Sequence, residues 1–267
     1  TSYNTAVGAR AGEAVTTGIQ NTLIGGLAGD VLTDADYNVA LGVSALGADT
    51  LGSQSTAIGY SALTNQNFTT ATNSLNTAVG YQAGAQVTTG VQNTLIGGLA
   101  GDALTDADYN VAVGVLALGA DTLGSRNIAI GYAALSTQNF TTATNGYNVG
   151  IGHAAGNNVT TGLYNTLIGG LAGDALTDAD HNVAIGFNAL SSDTLGSASI
   201  AIGKGALNGQ NFTTATTAYN VAVGHSAGTS VSTGTSNTFV GALAGDATDD
   251  GTQNVAVGYA ALSANCG

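Results

Sequence analysis

The chain is short of almost everything that most functions draw on. Proline, methionine and tryptophan are absent, there is one cysteine, and only 7% of the 267 residues are charged. Three Lys and Arg against 16 Asp and Glu give a net charge of −13. Binding a nucleic-acid backbone takes clustered cations, so nucleic acid is excluded as a partner. Cys266 alone cannot build a disulfide framework within one chain. The longest nearly pure apolar run, Val111 to Ala120, contains Gly114 and Gly119. It is about half the length of a membrane-spanning helix, so no membrane insertion is expected. Hydrophobic residues at 44% with few charges also argue against intrinsic disorder. What is abundant is glycine, 41 residues of it.

The glycines are periodic. Gly8, Gly25, Gly42 and Gly59 are spaced by 17, Gly80 follows after 21, and the 17/17/17/21 cycle continues to Gly258. The long period is 72 residues, giving super-repeats 4–75, 76–147, 148–219 and a partial 220–267. The four extra residues fall in the fourth repeat of each cycle, around Asn67 to Thr72, Asn139 to Thr144 and Asn211 to Thr216. Each of the fifteen repeats opens with Asn (Ser at 55 and 199). A small or branched pair, an aliphatic residue and the glycine follow, with alanine three residues later. The chain begins Thr1-Ser2-Tyr3 and its last repeat stops at Gly267, so it reads as a fragment of a longer chain.

Helix is a poor reading. Every repeat places Gly inside its best apolar stretch, and Val, Ile, Thr and Asn are weaker helix formers than Ala. The apolar pieces alternate over three to five residues and end at Gly or Asn, the pattern of short strands and turns. The expected fold is all-β: one parallel β-solenoid (β-roll) over residues 1–267, of about fifteen coils, with like positions stacked at about 4.8 Å. In that fold Val7, Ile24, Leu41 and Ile58 are expected to fill the interior. The Asn column is expected to form an amide ladder, and the Thr column (Thr16, Thr33, Thr50) a similar ladder of hydroxyls.

Asn76 to Gly84 (Asn-Thr-Ala-Val-Gly-Tyr-Gln-Ala-Gly) and Asn127 to Leu135 (Asn-Ile-Ala-Ile-Gly-Tyr-Ala-Ala-Leu) resemble the head repeats of YadA-like trimeric autotransporter adhesins. They resemble still more the longer-period repeats of bacteriophage tail fibres. The resemblance spans essentially the whole chain. It implies a left-handed β-roll, three chains packed side by side, and an extracellular setting on a virion or cell surface. The coils here, of 17 or 21 residues, are longer than the 14 or 15 of adhesin heads, which favours the viral fibre.

Chemistry has few candidates. His153, His181 and His225 stand in columns that elsewhere hold Tyr or Ala, as variable surface positions do. No nucleophile, base and orienting group are singled out, and no phosphate-loop motif occurs. The acidic residues are concentrated. Asp30, Asp34 and Asp36, with their repeats Asp102, Asp106, Asp108 and Asp174, Asp178, Asp180, place three carboxylates within seven residues of an expected loop. Calcium takes six to eight oxygens, so these are candidate calcium ligands, with the solvated turn as the alternative. Tyr60, Tyr81, Tyr132, Phe187 and Tyr259 follow the turn glycine, and Phe68, Phe140 and Phe212 are expected to be presented on the inserts. Such rows suit either sugar stacking or packing against a neighbouring chain. The functional expectation is a non-enzymatic fibre segment of a phage tail fibre used in host attachment. It would self-associate, as a homotrimer or in a fibre, and a host-surface glycan or protein is its possible receptor. The alternatives are a bacterial adhesin head and an extracellular filament. Ice binding is weakened by Asn67, Asn139 and Asn211, which interrupt the Thr column.

Overall fold

The computed structural model describes residues 2–264, so Cys266 lies outside the described residues. Among these, all regular structure is strand and none is helix. The protein is a parallel β-solenoid of about fifteen coils, each carrying a three-residue strand. Two compact units divide it: Thr1–Asn127 with Asn139–Asn145, and Ile128–Gln138 with Gly146–Gly267. Both are built from the same coil.

In the first unit Thr22–Ile24 pairs with Val39–Leu41 in the register Thr22↔Val39, Leu23↔Ala40, Ile24↔Leu41. In the second, Thr166–Ile168 pairs with Val183–Ile185 in the same way. The 21-residue coil leaves this register intact, since Thr56–Ile58 still pairs Thr56↔Thr77, Ala57↔Ala78, Ile58↔Val79. Its four extra residues are looped out after Phe68. They are closed by a two-residue pairing of Gly52–Ser53 with Thr72–Asn73, repeated by Gly124–Ser125 with Thr144–Asn145 and Gly196–Ser197 with Thr216–Thr217.

The interior is filled from the opposite side of the strand to that expected. Val7 and Leu41 are 58% and 42% exposed, and Ile24 and Ile58 are half-buried. The middle residues Leu23, Ala40 and Ala57 are the buried ones. The reason is room. A coil with one short strand has a narrow lumen, and a β-branched side chain from every strand would overfill it. Volume is instead shared between mid-strand and the next corner. Ala40 and Ala57 accompany buried Leu46 and Leu63, whereas Leu23 accompanies Gly29. A Cβ on Gly29 would lie 2.9 Å from Leu23 Cδ2 and 2.7 Å from Leu32 Cδ1. In the second unit Phe239 takes the place of Leu23, between Gly228 and Gly245.

The turn glycines have two independent causes. Gly97 has φ +134°, where L-residues are strained, and a Cβ there would lie 2.5 Å from the carbonyl oxygen of Gly114 in the next coil. Other corners use the left-handed region without glycine. Tyr37, Gln54, Tyr109 and Arg126, each just before the opening Asn or Ser, have φ between 60° and 63°. Their N–H groups bond the coil before, as Tyr37 does to Ile19 O at 3.0 Å and Arg126 to Asp108 O at 3.0 Å. Inter-coil bonding holds a conformation that costs an isolated residue about 1–2 kcal/mol.

The ladders are side chain to backbone. Asn93 Oδ1 accepts the Asn110 N–H at 3.0 Å, and Asn93 Nδ2 donates to Ala107 O at 2.7 Å. Direct amide-to-amide contacts are longer, 3.3 Å for Asn93 Nδ2 to Asn76 Oδ1. The expected amide ladder is thus a column of buried brackets for the neighbouring backbone. The Thr column likewise donates to carbonyls rather than to hydroxyls: Thr33, Thr105 and Thr177 Oγ1 lie 3.0–3.1 Å from Thr50, Thr122 and Thr194 O. A parallel solenoid leaves its loops without ladder partners, and these side chains satisfy the buried backbone groups there.

Candidate functional site

With the mid-strand residues turned inward, the first and third residues of every strand face outward. In the first unit the outer face presents Thr22, Val39, Thr56, Thr77, Thr94 and Val111 beside Ile24, Leu41, Ile58, Val79, Ile96 and Val113. The second unit repeats the arrangement, with Ile130, Ile200 and Val240 at 37–38% exposure. β-Branched residues fit a pleated surface because their stiff side chains interlock with neighbours. Here that surface belongs to parallel strands, which in folded proteins are usually covered on both faces.

Aromatic columns flank the strands. Beyond the turn glycine, Tyr60 stacks on Tyr81 (centroids 5.6 Å apart, planes 10° apart) and Tyr132 on His153 (5.4 Å, 15°). Before the opening Asn, Tyr147, Tyr164 and His181 form a three-ring stack with separations of 5.5 and 4.9 Å. Arg126 lies over the Tyr109 ring at 5.0 Å. In these stacks one face of each ring meets its neighbour in the next coil, and the tyrosines remain about half exposed. Phe68, Phe140 and Phe212 are not presented at all. Each is 5% exposed and anchors its insert in the interior.

The Asp trios are not gathered. Asp34, Asp106 and Asp178 are exposed and accept the hydroxyls of Thr17, Thr89 and Thr161 from the preceding coil, at 2.5–2.7 Å. Asp36, Asp108 and Asp180 accept backbone N–H groups of Ile19, Val91 and Leu163, at 2.7–2.8 Å. Asp30 lies 3.6 Å from Arg10 Nη2, and burial pushes the carboxyls of Asp102 and Asp174 up. One trio therefore serves three separate places. Among the described residues no three His, Cys, Asp or Glu side chains converge as a metal site. His153, His181 and His225 are exposed.

The acidic residues that do converge with other polar groups lie outside the trios. Asp49, Asp121 and Asp193 are fully buried, one per cycle. Asp49 Oδ1 accepts the N–H groups of Gly52 (3.0 Å) and Phe68 (3.1 Å), and its Oδ2 accepts Gln66 Nε2 at 2.6 Å. Gln66 donates also to Ser55 Oγ, and its Oε1 accepts Asn76 Nδ2 at 2.9 Å. Asp193, Gln210, Ser199 and Asn220 repeat the network. Each carboxylate ties the backbone of its own coil to the Phe at which the insert starts, and the Gln it holds reaches the Asn beyond the insert. The spacing of Asp and Gln by 17 residues, recurring at 72, was the available signal for it.

No cavity opens among the described residues, and they include no helix long and apolar enough to cross a membrane. No protein-family model matches the chain, and comparison with curated proteins and with solved structures gave no match.

Proposed function

We propose that this chain is a non-enzymatic structural segment of an extracellular fibre, of the kind that virion tail fibres use in host attachment, and that copies of it pack through the outer face of their strands. The observation that carries the reading is the face itself. Two columns of Thr, Val, Ile and Leu run along each unit on parallel strands that nothing among the described residues covers. Apolar surface so regular is stabilised when another copy of the same surface removes it from water. The exposed aromatic columns beside the strands fit the same role, since large amphipathic rings bury well against a neighbouring chain. The polar residues serve the coil: Asn brackets, Thr hydroxyls and buried Asp all bond neighbouring backbone.

Sedimentation of the purified chain tests the packing. The wild type is expected to sediment as an oligomer at micromolar concentration. Ile96→Lys with Val240→Lys, on the face of the two units, should give a monomer with an unchanged far-ultraviolet dichroism spectrum. A wild-type chain that stays monomeric at every accessible concentration overturns it. Electron microscopy of the source particles, labelled with antibody to this chain, tests the fibre. Label along virion fibres supports the viral reading, and label confined to cell-surface projections supports the adhesin head instead.

A further inference from the structure

The inserts carry a second pattern that packing does not use. Each reads Asn-Phe-Thr: Asn67-Phe68-Thr69, Asn139-Phe140-Thr141 and Asn211-Phe212-Thr213, and Asn158-Val159-Thr160 adds a fourth Asn-x-Thr in the second unit. This triplet is the acceptor sequence for N-linked sugar when the middle residue is not proline. In a chain rich in Asn and Thr the triplet alone says little, and the structure supplies the discrimination. Asn67, Asn139, Asn158 and Asn211 are all exposed, and so are Thr69, Thr141, Thr160 and Thr213 two residues on. The middle side chain is buried in every case, so the acceptor and the hydroxyl are held outward on either side of an anchor.

The hydrogen bonds separate these asparagines from the rest. Ladder asparagines such as Asn21, Asn93 and Asn165 spend Nδ2 on a buried carbonyl 2.7 Å away. None of them has Ser or Thr two positions on. In the inserts the bonding is reversed. Asn67, Asn139 and Asn211 use only Oδ1, which accepts Thr50, Thr122 and Thr194 Oγ1 at 3.0–3.3 Å. Asn158 Oδ1 accepts Asn157 Nδ2 at 3.1 Å. The reactive nitrogen is left in solvent with its carbonyl already steadied. The inserts close on two-residue pairings of their own, separate from the three-residue strands.

We propose that Asn67, Asn139, Asn158 and Asn211 are acceptor sites for N-linked glycosylation of the folded chain. The donor is a sugar activated at its anomeric carbon by a phosphate leaving group, either a nucleoside-diphosphate hexose or a lipid-diphosphate oligosaccharide. The Asn Nδ2 forms a bond to that carbon. The bond from the carbon to the phosphate oxygen breaks, the diphosphate leaves with the electron pair, and Nδ2 loses one proton.

Two arms test it with the intact chain. The purified folded protein is incubated with UDP-glucose and a soluble glycosyltransferase that recognises Asn-x-Thr. In parallel the chain is secreted from a eukaryotic host and treated with an amidase that removes N-glycans. Peptide mass spectrometry should place sugar on Asn67, Asn139, Asn158 and Asn211 and on no ladder asparagine. Modification in the first arm only identifies the nucleotide-activated hexose as the usable source, and in the second only, the lipid-linked donor. Thr69→Ala should remove the sugar from Asn67 alone while leaving the melting temperature unchanged, because the Thr69 side chain is exposed and makes no hydrogen bond among the described residues. Absence of sugar in both arms, while an unstructured Asn-Phe-Thr peptide is modified under the same conditions, overturns the proposal. The outcome is independent of whether copies pack into a fibre.

Discussion

Replacing Asp49 by alanine removes a side chain that takes part in no surface and no strand, yet it should be among the most damaging single changes in the first unit. The carboxylate satisfies three buried donors: Gly52 N–H, Phe68 N–H and Gln66 Nε2. Leaving a buried donor without an acceptor costs about 1–3 kcal/mol each. The groups belong to one network, so the losses overlap, and a total of about 3–5 kcal/mol is expected, as for breaking a buried charged network. For a unit of this size that is a fall in Tm of roughly 10 °C. The damage should be local. Hydrogen exchange at the Gly52 and Phe68 amides should accelerate far more than at Asn93, several coils away, because each coil contacts chiefly its neighbours. Asp49→Asn should cost less, since one oxygen still accepts the two backbone N–H groups while the new amide opposes that of Gln66. A variant Asp49→Ala that melts with the wild type and protects both amides equally well would refute the bracket role.

The same residue fixes the sign of a pH effect. Burial holds the Asp49 carboxyl above its ordinary range, and the hydrogen bonds from Gln66, Phe68 and Gly52 oppose that only in part. The folded chain then binds this proton at a higher pH than the unfolded chain does. Between the two pKa values stability therefore increases as pH falls, and ionisation of Asp49 at neutral pH is a cost that the fold bears. Urea unfolding from pH 7 downwards should show less of this rise in Asp49→Asn than in wild type.

Three further changes probe other parts of the coil. Gly97→Ala combines a strained φ with a Cβ 2.5 Å from Gly114 O, so it should cost at least about 3 kcal/mol and lower expression of folded protein, read by thermal melting. Asn93→Ala orphans the Asn110 N–H and the Ala107 carbonyl, an expected loss of about 2–4 kcal/mol by urea unfolding, with Asn93→Ser milder because Ser55 and Ser199 fill that column in other coils. Calcium at low millimolar concentration, or its chelation, should leave Tm unchanged, because the trio carboxylates are directed to separate partners; a calcium-dependent rise would show that they regroup around the ion.

The period of the glycines was enough to read the solenoid, since a column of residues recurring at 17 can satisfy its backbone only by stacking coils. The place of the inserts was equally legible, because the strand register had to survive them, and Ile58↔Val79 shows that it does. Which side of a three-residue strand faces inward was not legible from hydrophobicity. Thr-Ala-Val and Thr-Leu-Ile put the larger apolar group at the end, and bulk suggests burial there. The decisive quantity was lumen width, visible only as a correlation between positions. Leu23, Leu95, Leu167 and Phe239 occur at mid-strand only where the following corner is Gly29, Gly101, Gly173 or Gly245, while Ala40 and Ala57 go with Leu46 and Leu63. A mid-strand residue that is large only beside small corners shares a volume with them, and where Ala78 and Ala222 also precede glycine, at Gly84 and Gly228, the space is filled by Leu95 and Phe239 of the next coil. Residues that vary without such a partner, as Ile24, Leu41 and Val79 do, are free of that volume and stand outside it.

The same reasoning reassigns the charge. Three Asp in seven residues draw attention as a cluster, but a cluster in sequence is spread by a coil whose successive residues point to different coils and to solvent. Asp34 reaches Thr17 and Asp36 reaches the Ile19 N–H, so neither contributes to a shared centre. The isolated Asp49, Asp121 and Asp193 are the ones whose charge is enclosed. A buried carboxylate persists only where several donors meet it. Here the donors are Gly52 of the same coil, and Phe68 and Gln66 just before the one feature that breaks the 17-residue rule. The acid, the Gln above it and the Phe beside it therefore act together as the device that admits four extra residues without shifting a strand. A chain lacking the insert should need none of the three. In a chain shortened by residues 69–72, replacing Asp49 and Gln66 together by Leu, the residue that fills this column as Leu32 and Leu104 in coils without an insert, should consequently be nearly neutral, whereas an undiminished loss in that shortened chain would show that the pair supports the coil rather than the insert.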